Sequence, residues 1–159
     1  MKKNLFLALS LIALSPLSLM AETIPANDSR VTYVGRTLVE GTDVSFDWTA
    51  TYFRIAFSGN ALTMRVSDTK WDKTPEMAAT RHNYFNVWID APMSAEPHRI
   101  IEVASQDTVI ELIDPAYLKK SRRAVHEVIV QKRTEGEQGK TTIHAFATDA
   151  KGTFMQAEP

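Results

Sequence analysis

Through most of the chain apolar and polar residues alternate with a period of two, the pattern of strands that bury one face. It is plainest from Thr51 to Ser67. There Phe53, Ile55 and Phe57 share one face against Tyr52, Arg54 and Ala56, and Leu62, Met64 and Val66 alternate with Thr63, Arg65 and Ser67. Between the two runs lies Ser58-Gly59-Asn60, in which Gly59 and Asn60 take positive φ at little cost, so pattern and turn chemistry together predict a β-hairpin. Upstream, Val31 to Val39 reads as a strand with Gly35 marking a bulge or a close backbone approach. Val44 to Thr49 alternates Val44, Phe46 and Trp48 against Ser45, Asp47 and Thr49.

Downstream, Asn83 to Asp90 places Phe85, Val87 and Ile89 on one side and Tyr84, Asn86 and Trp88 on the other. Large groups on both faces predict a central strand, stopped by Ala91-Pro92. Arg99 to Ala104 and Thr108 to Ile113 read as a pair, and Val125 to Arg133 and Thr141 to Thr148 as a final hairpin. Asp114-Pro115 predicts one helical turn, with the carboxylate as cap and proline at the first helical position. Asp68 to His82 breaks the alternation and is the longest irregular insertion, a length at which loops are often functional. The total is about nine short strands and no long amphipathic helix, which predicts an all-β fold, an antiparallel β-sandwich of jelly-roll type.

The first residues fall outside this pattern. Lys2 and Lys3 precede an apolar run from Leu5 to Leu14, and Leu19-Met20-Ala21 supplies a small residue before a cut. Residues 1–21 therefore read as a signal peptide, with residues 22–159 as one sandwich domain that is secreted or periplasmic. The run is too short to span a bilayer, and no second one follows. Cysteine is absent, so packing and sheet hydrogen bonds must hold the fold, and thiol chemistry is excluded. Removing Lys2 and Lys3 takes the formal charge from -1 to -3, which offers no broad attraction to nucleic acid or anionic membrane. Lys119, Lys120, Arg122 and Arg123 form a basic cluster without interleaved aromatics, the composition of a solvated turn.

Sequence motifs for chemistry are few. The chain has no G-x-S-x-G elbow, P-loop, H-E-x-x-H or Gly-Asp-Ser block. His82, His98, His126 and His144 are scattered without metal-ligand spacing, so no metal or cofactor is expected; His126 and His144 fall on strands predicted to be adjacent. A catalytic triad is defined by geometry that a sequence does not display. Trp48 and Trp88 sit in strand patterns and are expected in the core. Trp71 lies in the polar insertion beside Asp72, Arg81 and His82, and this group is the candidate carbohydrate contact. An indole stacks on a sugar ring while carboxylate and guanidinium groups bind its hydroxyls; the alternative is that Trp71 folds back onto the body.

Six blocks carry a resemblance. Gly35-Arg36, Phe46-Asp47-Trp48, Phe57 to Leu62, Tyr84 to Asp90, His126-Glu127-Val128 and Lys132 to Glu135, in that order, resemble the N-terminal domain of carbohydrate esterase family 2. The resemblance implies a jelly-roll β-sandwich followed by an SGNH-type hydrolase domain that removes acetyl groups from plant polysaccharides such as xylan and glucomannan. The sequence reaches Pro159 without that domain's Gly-Asp-Ser block or its later catalytic histidine, so no catalytic residue is carried over. The resemblance thus implies a non-catalytic accessory domain whose partner is an SGNH-type hydrolase domain. A stand-alone carbohydrate-binding module is the alternative. For the isolated chain, background esterase activity is expected.

Overall fold

The computed structural model describes residues 21–69, 81–104, 107–113 and 115–157. Twelve strands are present among them: β1 (Thr23–Pro25), β2 (Thr32–Val34), β3 (Leu38–Glu40), β4 (Asp43–Phe46), β5 (Tyr52–Ser58), β6 (Leu62–Thr69), β7 (Asn83–Ile89), β8 (Arg99–Val103), β9 (Thr108–Glu111), β10 (His126–Lys132), β11 (Lys140–Thr148) and β12 (Thr153–Met155). About nine were expected from alternation, which misses three-residue strands such as β1 and β12. One helical turn, α1 (Pro115–Leu118), is present where one was expected; the expected cap, Asp114, lies outside the described residues. Among the described residues no helix is long and apolar enough to cross a membrane. The expected signal peptide lies almost wholly outside the described residues.

The strands form two antiparallel sheets, the expected all-β sandwich. One has the order β3-β4-β11-β6-β9, with β1 also on β11; the other has the order β12-β5-β10-β7-β8, with β2 also on β5. Inward side chains from both sheets make one core. Val130 of β10 lies between Phe53 and Val87 in register. Phe53 meets Phe146 of the opposite sheet with ring centroids 5.2 Å apart, and Phe46 meets Phe85 edge-on at 6.2 Å. All four rings are almost fully buried, and each such side chain contributes about 1.5–3 kcal/mol of transfer free energy.

Three predicted pairings are overturned. β5 and β6 are not a hairpin, because β5 pairs β10, β12 and β2 while β6 pairs β11 and β9. Ser58-Gly59-Asn60 is an arch between sheets. Gly59 has φ +121, and a Cβ there would lie 2.8 Å from the Cα of Gly152; Asn60 is held by Asp149, through its backbone N–H at 3.1 Å and its amide at 2.9 Å. Likewise β8 and β9 lie in different sheets, as do β10 and β11. The physical reason is common to all three. Alternation says which face of a strand is buried, and in a sandwich two successive strands can bury faces in the same core from beside or from opposite each other. The predicted strand Val31 to Val39 is also split, at Gly35, into β2 of one sheet and β3 of the other.

Polar residues fasten the sandwich at its ends. Lys132 is fully buried, and its Nζ donates to the carbonyl oxygens of Thr134 (2.8 Å) and Glu135 (3.1 Å) and to Thr134 Oγ1 (3.1 Å). Thr134 in turn donates to Asn83, which donates to Asp68. At the opposite end Asp90 Oδ2 pairs with His126 Nδ1 at 2.7 Å and accepts from the Tyr117 hydroxyl at 3.3 Å, tying α1 to the sheet.

Candidate functional site

The end of the sandwich fastened by Lys132 carries the loops between β2 and β3, β4 and β5, and β10 and β11, together with the end of β6 and the start of β7. Among the described residues its most exposed aromatic side chain is Trp48, expected in the core but 56% exposed. The reason is local. β4 ends at Phe46, so Trp48 has left the ladder that would have kept it in phase, and Thr51 N–H closes a turn onto the Trp48 carbonyl at 3.3 Å, with Ala50 at φ +67. Trp88, by contrast, is buried as expected and donates its indole N–H to the Ala95 carbonyl at 2.8 Å.

Gly35 sets the other half of this surface. With φ +117 it turns the chain from one sheet to the other, and a Cβ would lie 2.8 Å from Thr51 Oγ1. This crossing brings Arg36 over Trp48, the guanidinium carbon 4.9 Å from the ring centroid, a cation–π contact worth about 0.5–1 kcal/mol at an exposed site. Two grooves share Arg36 and Trp48 as walls. One, of about 340 Å³, runs past Val34 and Thr49; the other, of about 410 Å³, runs past Leu38, Ser45 and Asp47. Val34 (42%) and Leu38 (53%) are exposed along them, so an apolar surface flanked by Arg36 and, in the second groove, by Lys140 and Asp47 faces outward.

The turn Gly136–Gln138 links this surface to the predicted contact residues. A Cβ on Gly136 would lie 3.6 Å from the Asp47 carbonyl, and Glu137 Oε1 lies 4.0 Å from Arg81 Nη1. His82 Nδ1 pairs with Glu102, which also accepts from the Tyr84 hydroxyl at 3.2 Å. The His82 bond, then that from Tyr84, holds the Glu102 carboxyl below the usual carboxylate range. Arg81 and His82 thus stand at this end of the sandwich, each against a glutamate. Trp71 and Asp72 lie outside the described residues. The predicted set did not contain Arg36 and Trp48. The available signal was the sequence Asp47-Trp48-Thr49-Ala50 just before the next strand, where alternation alone could not show that the strand had already ended.

The surface can do two things chemically: stack an apolar or sugar face on the indole, and pair an anion or carbonyl with Arg36. Among the described residues no group of three or more His, Asp and Glu side chains is placed to hold a metal ion.

Known structures share the fold. A family two carbohydrate esterase from Cellvibrio japonicus superposes with a TM-score of 0.67 at 20% identity, covering 87% of this chain and 36% of that one. An acetyl xylan esterase from the rumen bacterium Butyrivibrio proteoclasticus gives 0.64 at 10% identity, covering 88% and 34%. The CBM36-1 domain of a multidomain xylanase from the hindgut metagenome of Trinervitermes trinervoides gives 0.53 at 9% identity, covering 87% and 99%. The chain therefore spans about a third of the length of these esterases. No curated protein matches it. The profile of the carbohydrate esterase 2 N-terminal domain matches residues 33–157, and the chain belongs to that family.

Proposed function

We propose that the chain is the accessory β-sandwich of an exported polysaccharide acetyl esterase and that it packs against an SGNH-type hydrolase domain. The observation that carries this reading is the outward apolar surface of Val34, Leu38 and Trp48 around Arg36. Exposed apolar side chains grouped along grooves are what a domain interface covers. The structural relatives named as esterases are about three times as long as their match to this chain, so each has room for a further domain. Export follows from the Lys2-Lys3 and Leu5 to Leu14 pattern.

A second reading is supported by the likeness to a CBM36-1 domain along nearly its whole length: a carbohydrate-binding module, with Trp71, Asp72, Arg81 and His82 as contacts. Affinity electrophoresis through gels containing xylan, mannan or pectin separates the two. The docking reading expects unretarded migration of the isolated chain. Retardation that Trp71→Ala abolishes would favour the binding module instead.

A further inference from the structure

Away from the loop-bearing end, the outward face of the sheet β3-β4-β11-β6-β9 holds three residues that local sequence does not connect. His144 Nε2 lies 2.9 Å from Ser67 Oγ, and His144 Nδ1 lies 2.9 Å from Asp43 Oδ2. They come from β11, β6 and β4. A hydroxyl within hydrogen-bond reach of an imidazole that is itself oriented by a carboxylate is the signature of an activated nucleophile, recognised by geometry rather than by order along the chain.

The backbone around His144 is built for this placement. His144 is the residue of β11 with no register partner on either side: pairing with β4 stops at Ile143, pairing with β1 begins at Ala145, and the β6 register shifts between Ile143 and Ala145. Such a bulge re-aims a side chain, and here it puts the imidazole between Asp43 on one neighbouring strand and Ser67 on the other. Satisfaction of polar groups does not require the arrangement, because the His144 side chain is 22% exposed and that of Asp43 37% exposed, within reach of water.

We propose that Ser67 is an activated nucleophile, with His144 as its general base and Asp43 positioning the imidazole, and that it is acylated by unhindered esters. This reading is independent of the docking proposal. Asp43 takes the Nδ1–H of His144, leaving Nε2 to accept the Ser67 proton. Ser67 Oγ then bonds to the ester carbonyl carbon as its proton passes to Nε2. The bond to the alcohol oxygen breaks and the alcohol leaves with that proton. Water adds to the acyl-serine, giving a proton to His144, and the carboxylic acid departs as Ser67 Oγ is reprotonated. Arg65, two positions before Ser67 on the same face, is paired with Asp107 through Nε at 3.0 Å and Nη2 at 2.6 Å. A single oxyanion-hole donor is worth about 10²–10³-fold in rate, so turnover without a backbone hole is slow and covalent capture reads the site better.

The test is to incubate the folded chain with a fluorophosphonate probe and map the adduct by peptide mass spectrometry. The expected result is one adduct, on Ser67 and not on Ser45, that does not form when the labelling is carried out in urea. It should be absent in Ser67→Ala, slower by about 10²-fold or more in His144→Gln and by at least about tenfold in Asp43→Asn, since general-base assistance contributes about 10²–10⁴-fold. No adduct on the folded wild-type chain overturns the proposal. So does equal labelling before and after unfolding, a result that needs no variant to fold.

Discussion

Gly35→Ala tests how tightly the sheet crossing is built. At φ +117 an L-residue is strained, by about 1–2 kcal/mol or more. The new methyl would also meet Thr51, a buried residue, at 2.8 Å from Oγ1, 3.1 Å from Cγ2 and 3.2 Å from Cα. Overpacking of this kind costs about 1–3 kcal/mol, and the backbone Cα leaves the methyl no flexible neighbour to displace. The expected total is about 3 kcal/mol, read as a lowered urea midpoint at unchanged slope by circular dichroism. Thr51→Ala removes the two nearest atoms but not the positive φ, so the double variant should recover about 1 kcal/mol of the loss in a double-mutant cycle. A Gly35→Ala cost under about 1 kcal/mol, or a cycle with no coupling, would refute the reasoning.

Other consequences follow from the polar fastenings. Asp28 accepts three bonds from Arg30, from its backbone N–H, Nε and Nη2, each at 2.9 Å, and these hold its carboxyl down from 3.8 to about 2. Because the folded pKa is the lower one, the pair stabilises the chain above about pH 5, and that stability is lost as pH falls toward about 2. Arg30→Gln should remove about 1 kcal/mol at neutral pH, a value reduced for solvent screening, and flatten the acid limb of a stability–pH curve; an unchanged limb would contradict this. Lys132→Met keeps the volume but leaves the Thr134 and Glu135 carbonyls without their buried donor, so a loss of about 2–4 kcal/mol is expected in thermal denaturation. A neutral effect would show that water replaces the ammonium.

The faces of the strands were legible in the sequence, and their partners were not. Phe53, Ile55, Phe57, Leu62, Met64 and Val66 are all buried as alternation requires, and Gly59 takes the positive φ its turn requires. Yet those two strands meet across the core instead of edge to edge, because period-two patterning carries no information on which sheet a strand joins. At Trp48 the pattern outlived the strand. Asp43, Ser67 and His144 are far apart in the chain, so only the register of three strands unites them. One signal of that register was present: Ile143 and Phe146 are both buried three positions apart, a break in the period of two that marks the bulge at His144.

The docking claim is tested most directly by hydroxyl-radical footprinting of the chain alone and in complex with a carbohydrate esterase family 2 hydrolase domain. Trp48, Val34 and Leu38, all exposed in the isolated chain, should become protected, while Ile100 and Val109, exposed on β8 and β9, keep their reactivity. Unchanged reactivity at Trp48 in the complex, or protection confined to Ile100 and Val109, would contradict the account.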